Sequence, residues 1–398
     1  MINIQDKKDC CGCTACASVC NHGAITIQPD ECGFVIPRVN PALCVDCHLC
    51  EQVCPIAAKC ETNQPEASFV ALAVDQDEQL SSTSGGLASV FARCLIGRLQ
   101  GVVYGCTGAD CFNVRHIRID SLDGLEQIKG SKYVQSNMTG IYEQVRQDLR
   151  QGRYVLFVGT PCQVAGLRKF LRKPNERLFC IDFVCHGVPP QQLLSSAIKE
   201  KGLKTLPKEA RFRIKSTGKP SKYCLQVVSA DGAVLYEKGY GRDPYITGFI
   251  YALFYRDSCY SCPYASLDRP GDITVGDFWD REREFVSMDR RKGGLSQMHV
   301  NTGQGKRLLH LAEDSIRKQP IAIDKLLKHS QQLSHPMPRH RNNALFWRLY
   351  HQKGFHEACR VALRKDIRSL RLQPISSVLF AIPGVRNLYF TLKKLLKG

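Results

Sequence analysis

Eight cysteines near the start of the chain have the spacing of ligands to iron–sulfur clusters. Four of them, Cys44, Cys47, Cys50 and Cys54 in CVDCHLCEQVCP, follow the pattern Cys-x2-Cys-x2-Cys-x3-Cys-Pro, which is the bacterial spacing for a [4Fe–4S] cluster. Three thiolates this close in sequence must come from one tight loop that covers a face of the cubane. The fourth thiolate ligates the neighbouring cluster, and we expect it at the start of a short helix.

A second run with the same spacing lies upstream in CCGCTACASVCN, where Asn21 replaces only the proline, which ligates nothing. The two runs therefore predict two clusters that exchange their fourth ligand. The expected ligands are Cys10, Cys13, Cys16 and Cys54 for one cluster, and Cys44, Cys47, Cys50 and Cys20 for the other. A pair of zinc knuckles is the alternative, but zinc prefers two separated cysteine pairs, and two runs of four fit it poorly.

The composition indicates the class of protein. The chain has 398 residues, of which 43% are apolar, and this suffices for one large domain with smaller ones attached. Its 21 cysteines include clustered runs, which indicate metal binding in a reducing compartment rather than a secreted disulfide scaffold. The N-terminal residues contain no apolar run typical of a signal peptide, and no stretch reaches the roughly 18 apolar residues of a membrane span. We therefore expect a cytoplasmic protein.

The net charge of +18 is concentrated towards the C-terminus. From Arg339 onward there are 13 Lys and Arg against 2 Asp and Glu, so this segment carries +11. Each oxidised [4Fe–4S] cube with four thiolates adds about −2, which brings the rest of the chain close to neutral. We find no basic patch with a nucleic-acid-binding motif, and we expect no nucleic-acid partner.

Alternating apolar strands and amphipathic helices begin at Phe69, after the polar linker predicted at 61–68. Strands are predicted at 69–74, 101–106, 114–119, 154–159, 178–185, 211–215, 225–229, 272–276 and 297–301, and helices at 87–99, 140–150, 163–171, 191–201 and 303–312. This alternation predicts an α/β domain with some parallel strands, which bind ligands at their carboxyl ends. In the N-terminal module, GAITIQPDECGFVIP predicts two short strands joined by a Pro-Asp turn.

Four further cysteines lie at the ends of predicted strands or in a tight turn. Cys162 follows Pro161 in the first turn of a predicted helix, where free N–H groups and the helix dipole favour a thiolate. Cys185 ends the next strand, and Cys259 and Cys262 form a Cys-x2-Cys-Pro element. Together the four thiols could make a third [4Fe–4S] site. They could also be buried structural thiols, a zinc site or a redox dithiol.

Two turns combine glycines, hydroxyl groups and a lysine. SSTSGG directly precedes the helix predicted at 87–99, and GSKY lies at 130–133. Glycines and hydroxyls before a helix N-terminus can bind a phosphate or pyrophosphate, although an N-capped helix after a loop gives the same pattern. The candidate binding residues are Ser84, Gly85, Gly86, Ser131, Lys132 and Tyr133.

Two histidines are candidate proton donors. His116 lies in a predicted strand, where a structural role is the alternative. His186 follows Cys185 directly, so it could instead donate a hydrogen bond beside a ligand. Further along, RPGDITVGDFW places Asp272 and Asp277 on a strand that leads into a turn, where they could orient a substrate or simply shape the turn.

Taken together, these motifs resemble the family of beta subunits of coenzyme F420 hydrogenases and dehydrogenases, in its bacterial ferredoxin-fused form, which is related to the plant 7-hydroxymethyl chlorophyll a reductase. The matching strings are SGG at 84–86, GSKYVQS at 130–136, LFVGTPCQVAGL at 156–167, DFVCHGVP at 182–189, SCYSCPYA at 258–265 and DITVGDFW at 272–279. The likeness extends from the N-terminus to about residue 305, in the family's order.

The resemblance implies an iron–sulfur flavoprotein with FAD bound between the two turns and beside a third cubane. The implied ligands of that cubane are Cys162, Cys185, Cys259 and Cys262. The expected parts are a ferredoxin-type 2[4Fe–4S] module of α+β fold at 1–62, an α/β flavin-binding domain with a mixed sheet at 63–320, and a basic helical C-terminal extension at 321–398.

We therefore expect an oxidoreductase that takes electrons from a ferredoxin-type donor near the N-terminal module and passes them through the clusters to FAD. FAD would deliver them to a two-electron acceptor, either F420 or another small molecule. One alternative is an electron-transfer subunit that serves a partner enzyme. Another is a thiol-redox enzyme with Cys162 as nucleophile and Cys259 and Cys262 as its dithiol. Similar proteins encoded beside surface-polysaccharide genes imply a role in that metabolism.

The basic tail has helical spacing at 358–370 and at 384–396. In the second segment, Val385, Leu388 and Leu392 share a face that basic residues surround. Such a helix can lie on an anionic membrane, so contact with the inner face of the membrane is one expectation. Packing against its own domain is the other.

Overall fold

The computed structural model describes residues 2–4, 6–216, 219–280, 283–289 and 293–370. Its strands are β1 (Ile25–Pro29), β2 (Val35–Val39), β3 (Ala67–Ala73), β4 (Val102–Thr107), β5 (Arg115–Ile119), β6 (Val155–Gly159), β7 (Leu178–Phe183), β8 (Glu209–Ser216), β9 (Lys219–Val228), β10 (Val234–Gly239), β11 (Ile273–Phe278), β12 (Leu295–Val300) and β13 (Ile316–Pro320). Its α-helices are α1 (Ala15–Val19), α2 (Leu49–Gln52), α3 (Gln76–Ser81), α4 (Leu87–Leu99), α5 (Ile141–Arg150), α6 (Pro161–Leu171), α7 (Gln191–Lys199), α8 (Pro244–Ile250), α9 (Gly303–Leu311), α10 (Ile323–His329) and α11 (Asn343–Ala362). Short 3-10 helices lie at Lys7–Asp9, Asp123–Ile128, Asp257–Ser261, Glu313–Ser315 and Gln331–Leu333. The basic helix predicted at 384–396 lies outside the described residues.

In the described part of the chain, eight strands form one mixed sheet in the order β13-β3-β12-β11-β7-β6-β4-β5. The four central strands β11, β7, β6 and β4 run parallel, and the outer pairings are antiparallel. No residue of the central strands is exposed, as expected for parallel strands covered on both faces. We call the edge where these strands end, at Thr107, Gly159, Phe183 and Phe278, the carboxyl edge.

The predicted α/β alternation is confirmed in the central domain. The helix predicted at 87–99 is α4, and those predicted at 140–150 and 303–312 differ from α5 and α9 by one residue. The sequence does not predict β10 or β13, because each lies at the edge of its sheet and has too few buried residues to give an apolar run. The strand predicted to end at Cys185 stops at Phe183, so this cysteine lies in the following loop.

The N-terminal module contains a hairpin and two short helices. The predicted hairpin is confirmed: β1 pairs antiparallel with β2, and the Asp30 carboxylate accepts two backbone N–H groups of the turn. The third cysteine of each run, Cys16 or Cys50, lies inside α1 or α2. The expectation that the fourth cysteine begins a helix is wrong, because Cys20 and Cys54 follow the ends of these helices. Cys20 is the C-cap residue of α1 and has extended backbone angles, and Cys54 lies two residues after the end of α2.

The module packs directly on the α/β domain. One apolar core joins α1 with α5, α6, β4 and β6. The approach is so close that a Cβ on Gly166 of α6 would lie 3.1 Å from the Sγ atom of Cys13. The polar linker predicted at 61–68 is anchored rather than free, because Asn63 forms a backbone bridge with Arg269.

A second sheet, β10-β9-β8, shares a core with α7, α8 and α11. Phe346 and Phe355 of α11 are fully buried in this core. The helix bends at Gly354, where φ is +81°, and the Glu200 carboxylate caps its second half by accepting the N–H groups of Phe355 and His356. None of the described helices combines the length and apolar character that crossing a membrane requires.

Candidate functional site

The eight N-terminal cysteines divide into two sets, each around a small cavity of about 20 Å³. Besides Cys11, the cysteines that line the inner site are Cys10, Cys13, Cys16 and Cys54. The cysteines that line the outer site are Cys20, Cys44, Cys47 and Cys50. These are the two sets, each with an exchanged fourth cysteine, that the spacing predicts.

The two cysteine loops have the same backbone shape although their sequences differ. Gly12 and Thr14 flank the second cysteine of the first run, and both have positive φ. Asp46 and His48 flank the second cysteine of the other run with φ values of 51° and 59°. Such angles are uncommon for residues with a side chain. Their repetition gives both loops the same left-handed turns, a backbone shape in which successive N–H groups can face an anion.

The chemistry of these residues fits two [4Fe–4S] clusters. Each cavity is lined by four thiols at the cluster spacing, and the N–H group of Ile2 lies 3.3 Å from the Sγ atom of Cys50, the kind of hydrogen bond that tunes cluster potentials. Among the described residues, no three His, Cys, Asp or Glu side chains converge on one ion position. A cubane does not require this, because its thiolates bind four different iron atoms. The inner cysteines are buried, whereas Cys47 of the outer site is exposed.

Four more cysteines meet at the carboxyl edge, and we call them the edge site. Cys162 is the second residue of α6, and Cys185 lies two residues after β7. Cys259 lies in the 3-10 helix Asp257–Ser261, and Cys262 follows it. Burial raises the pKa of Cys185 to about 12, and the neighbouring thiols of Cys162 and Cys262 add to the rise. Burial and the three other thiols also raise the pKa of Cys259, so all four lie within electrostatic reach.

The sequence expectation of a stabilised thiolate at Cys162 is wrong. Contact with the Cys11 thiol and burial raise the pKa of Cys162 well above its ordinary value. The hydroxyl of Thr160 lies 3.2 Å from its Sγ atom. Cys11 thus lies between the inner and edge sites, and the sequence patterns do not mark it, because it falls outside the cluster spacing.

A buried ion pair fixes the loops of the edge site. Arg269 is 1% exposed, and its Nη2 atom lies 2.7 Å from the Asp182 carboxylate in β7. Its Nη1 atom donates to the carbonyl of Tyr264 in the loop after Cys262, and Nη2 also donates to the last carbonyl of β7, just before Cys185. Breaking such a pair typically costs about 3–5 kcal/mol. Arg269 therefore positions both cysteine loops, a role that its place in RPGD does not reveal.

A cleft of about 510 Å³ opens at the carboxyl edge, within the size range of ligand pockets. Ser84 and Gly86 of the first predicted turn line it, but Gly85 does not: a Cβ there would lie 2.6 Å from a carbonyl of β3. Ser131 of the second turn also lines the cleft. Its N–H group donates to the Thr83 hydroxyl at 2.8 Å, so the two turns are joined.

Lys132 and an aromatic cluster form the cleft wall beyond the turns. The Nζ atom of Lys132 donates to two backbone carbonyls but forms no ion pair with a carboxylate of the described residues. Burial lowers the pKa of Lys132 accordingly. Tyr133 stacks on Phe249 at 4.3 Å. Arg213, which is paired with Asp277 at 2.7 Å, donates to the Tyr133 hydroxyl.

Asp272, one of the two predicted carboxylates, has a structural environment. Asp272 accepts hydrogen bonds from Arg168, from the N–H group of Cys180 and from the Thr302 hydroxyl. It ties β11 to α6, β7 and the start of α9. Only Asp277 of the pair lines the cleft.

The two candidate histidines line the cleft in different ways. Both ring nitrogens of His116 are engaged, with Nε2 3.1 Å from the Val158 carbonyl and Nδ1 2.9 Å from the Ser136 hydroxyl. Burial lowers the pKa of His116 to about 4. The ring of His186 makes no hydrogen bond to any residue that the structure describes. Burial lowers the pKa of His186, and nearby Asp277 acts against this shift.

Comparison with known protein families agrees with this arrangement. Residues 152–324 match the family model for the carboxyl-terminal part of the coenzyme F420 hydrogenase/dehydrogenase beta subunit, and residues 9–58 match that of the 4Fe-4S dicluster domain. The chain therefore joins a match to the dicluster domain with a match to the carboxyl-terminal part of the F420 hydrogenase/dehydrogenase beta subunit. The resemblance inferred from the motifs is thereby confirmed, as are the two-cluster module and the α/β mixed-sheet domain.

Two curated relatives share this likeness. One subunit of the F420H2 dehydrogenase of Methanosarcina mazei, designated F, is 21% identical over 204 residues, which is 48% of this chain and 58% of the relative. Coenzyme F420-dependent sulfite reductase of Methanocaldococcus jannaschii is 25% identical over 195 residues, 47% of this chain and 29% of the relative. The chain therefore spans less than two thirds of either. A chain of the F420-reducing [NiFe] hydrogenase complex from Methanosarcina barkeri superimposes with a TM-score of 0.47 and 14% identity over 73% of this chain and 94% of that one.

These comparisons show a 4Fe-4S dicluster domain followed by a region similar to subunits of F420-linked oxidoreductases. FAD, the third cluster, the donor, the acceptor and the division at residues 62 and 320 stay predictions.

Proposed function

We propose that this protein is an iron–sulfur flavoprotein oxidoreductase that takes electrons from a low-potential donor of the ferredoxin type and delivers them in pairs to an acceptor in the cleft. One observation supports this best: Cys11 lines both the inner cavity and the cleft, so a single residue separates them. The outer site, with exposed Cys47, faces solvent. The cysteine groups thus lead from the surface of the module to the carboxyl edge.

The residues of the cleft fit the cofactors that this function needs. When bound, the clusters supply one-electron transfer, and FAD supplies the link to two-electron chemistry. The four edge cysteines would hold a third [4Fe–4S] cluster, with Arg269 fixing their loops. Ser84, Gly86 and Ser131 would contact FAD, and Lys132 would pair with its pyrophosphate, because its buried charge lacks a carboxylate partner among the described residues.

We assign the proton-donor role to His186. Its ring lines the cleft, where burial lowers the pKa of His186 and nearby Asp277 acts against this shift, so the protonated ring would give up its proton readily to a bound acceptor. His116 is the weaker of the two predicted donors, because both its nitrogens are already hydrogen-bonded and its pKa is about 4. It would instead position Ser136.

The acceptor that we propose is a planar two-electron carrier. Tyr223 and Trp279 line the cleft, and their rings can stack on such a molecule. The two curated relatives are F420-linked by name, which makes a deazaflavin the first acceptor to test. A reducing compartment suits the chain, because all 21 cysteines are free thiols. The role in surface-polysaccharide metabolism stays a prediction.

Stopped-flow mixing of reduced ferredoxin with anaerobic holoprotein tests the proposal. Flavin absorbance should fall in a phase whose rate depends on ferredoxin concentration. In Cys47→Ser, which alters the outer site, this rate should drop at least about tenfold, whereas reduction by small chemical donors should persist. Bound flavin that ferredoxin cannot reduce would contradict the proposed direction of electron flow.

A second candidate is an electron-transfer subunit without a substrate of its own. The name of the Methanosarcina mazei relative, which is a dehydrogenase subunit, favours this. The purified chain would then reduce no small acceptor from the flavin until a partner enzyme is added. Turnover of F420 or another small acceptor by the chain alone would exclude this candidate.

A further inference from the structure

One buried cation lies between the inner site and the edge site without an acidic partner. Arg256 is 2% exposed, and it precedes Cys259 of the edge site by three residues. Its guanidinium reaches across to the N-terminal module, where Nη1 donates to the Cys10 carbonyl at 3.1 Å and Nη2 to the Val35 carbonyl at 2.7 Å. It also lies over the ring of Phe34, with the Cζ atom 5.0 Å from the ring centre.

Within the described part of the chain, the hydrogen bonds of this guanidinium go to neutral acceptors. The remaining ones, from Nε and Nη2, go to the side-chain oxygen of Gln135 at 3.2 and 3.0 Å. The other buried arginines differ: Arg269 pairs with Asp182 and Arg213 with Asp277, each at 2.7 Å. Among the described residues, Arg256 forms no ion pair. A buried charge without a partner is costly, so a negative group is needed close by.

The surroundings of Arg256 identify that group. The residues that line the cleft include Gln135 and Cys11 but not Arg256, so an anion in the cleft would not touch it. The cysteines of the two cluster sites lie on either side. Nη1 of Arg256 donates to the Cys10 carbonyl on one side, and the Arg256 carbonyl accepts the N–H group of Cys259 at 2.9 Å on the other. A [4Fe–4S] cluster with four thiolates carries about −2 when oxidised and gains one more negative charge on reduction.

We propose that Arg256 is the shared counter-ion of the inner and edge clusters, and that its charge stabilises their reduced states. This inference rests on the proposed function, because it requires clusters at both sites. The same guanidinium locks the module against the domain: a Cβ on Gly12 would lie 2.7 Å from Nη2 of Arg256 and 2.4 Å from Nε2 of Gln135. Arg256 is thus a positioning residue that acts through the cluster ligands.

Three variants separate the charge of Arg256 from its packing. Arg256→Gln removes the charge, and Arg256→Lys keeps the charge but loses the planar fork. Gln135→Glu leaves the arginine in place and sets a carboxylate against it, since Gln135 Oε1 already accepts two of its N–H groups. Each is compared with wild-type holoprotein by anaerobic dithionite titration at pH 8, followed by low-temperature magnetic resonance of the reduced clusters.

We expect Arg256→Gln to shift the reduction equilibrium of the inner and edge signals at least tenfold towards the oxidised state, which is about 59 mV for a one-electron couple. Gln135→Glu should shift the same signals in the same direction, and Arg256→Lys should stay near wild type. The signal of the outer site, identified by its change in Cys47→Ser, should keep its midpoint in all three and serves as the internal reference.

Unchanged midpoints in Arg256→Gln would overturn the inference, as would an equal shift in Arg256→Lys, which would indicate packing rather than charge. If Arg256→Gln does not retain iron, the test rests on Gln135→Glu. Unchanged midpoint potentials of the inner and edge signals in Gln135→Glu would then overturn the inference. A failure of the proposed function looks different, because wild-type protein would then show no signal from the inner or edge site, and both conclusions would fall together.

Discussion

The N-terminal module and the carboxyl edge bring cysteines together by different means. In the module, ligand candidates lie three or four residues apart, and Gly12 with Thr14 and Asp46 with His48 give both loops the same left-handed turns. At the edge, the four cysteines span a hundred residues of sequence, and parallel strands bring two of them together where β6 and β7 end. The module is therefore specified by local spacing, and the edge by topology.

The two regions also differ in burial. The outer site includes exposed Cys47, the inner site is buried, and the edge cysteines lie behind the inner site next to Cys11. In the proposed function, this order would let the surface accept electrons from a protein donor while the flavin is held in the cleft. Substitutions at the edge site should therefore abolish flavin reduction and leave the module intact. Substitutions where the module contacts the α/β domain should mainly affect the module.

The largest expected effect is at the edge site. Cys185→Ala should remove about four iron atoms per chain and slow ferredoxin-driven flavin reduction by more than roughly 100-fold. Loss of a residue that only hydrogen-bonds to a metal ligand already lowers metal affinity or activity by about 10–100-fold, and loss of the ligand itself should cost more. Cys106→Ala is the matched control, since Cys106 lines the same cleft outside the edge site. Iron analysis and stopped-flow absorbance measure both. Equal iron in the two variants would leave the edge without a cluster and break the comparison.

The next effect concerns the flavin. Lys132→Met should weaken FAD binding by roughly 10–100-fold, because a hydrogen bond to a charged group contributes about 1.5–3 kcal/mol. Lys129→Met is the control: Lys129 already pairs with Glu78 at 3.1 Å and Glu126 at 2.5 Å, so little of its charge is left for a ligand. FAD retained on desalting, titrated back into stripped protein, gives both affinities. Similar affinities in the two variants would remove Lys132 from the flavin site.

A smaller effect is expected at the junction of module and domain. Gly166→Ala would place a Cβ 3.1 Å from Cys13 Sγ and 2.9 Å from the Tyr142 hydroxyl, which should destabilise the inner site by about 1–3 kcal/mol. Gly97→Ala in α4 meets nothing within 4 Å, and it should be neutral or stabilise by up to about 1 kcal/mol. Urea unfolding and the rate of iron loss to a chelator measure the difference. If Gly166→Ala changed neither the unfolding free energy nor the rate of iron loss, the module would not pack as closely on the domain as described.

The smallest effect is a pH dependence. The folded pKa of His116 is about 4, below its usual 6.5, so the unfolded chain binds more protons and the stabilisation present above pH 6.5 is lost as pH falls towards 4. Between pH 7.5 and 5.5 this costs about 1 kcal/mol. His116→Gln should lower overall stability but flatten the dependence by that amount in urea unfolding, while His299, with a pKa also near 4, is retained in both proteins. An identical slope in the variant would mean that His116 is charged in the folded protein.

Spacing and strand periodicity predict the module and the central sheet because both depend on local sequence. They also predict that Cys162 and Cys185 lie at the same edge of the sheet, and both line the cleft there. The edge strands β10 and β13 are not predicted from the sequence, because their half-exposed residues give no apolar run. The end of β7 at Phe183 is not predicted either, because no local sequence feature separates the last strand residue from the loop that follows.

The residues that connect the two regions could not be predicted from sequence. Cys11 lies outside the cluster spacing, and Arg256 and Arg269 carry no motif. Their roles depend on contacts across more than eighty residues of sequence, such as Arg256 with Cys10 and Arg269 with Asp182. The expectation of a stabilised thiolate at Cys162 also missed a contact that is distant in sequence, because the Cys11 thiol raises the pKa of Cys162.

The most direct test of the account is the count of iron, acid-labile sulfide and flavin in anaerobically purified protein. Three cubane sites and one flavin site predict about 12 iron atoms, about 12 sulfides and one FAD per chain. A brown protein with about 8 iron atoms and no flavin would contradict the account, because the carboxyl edge would then hold neither cluster nor cofactor.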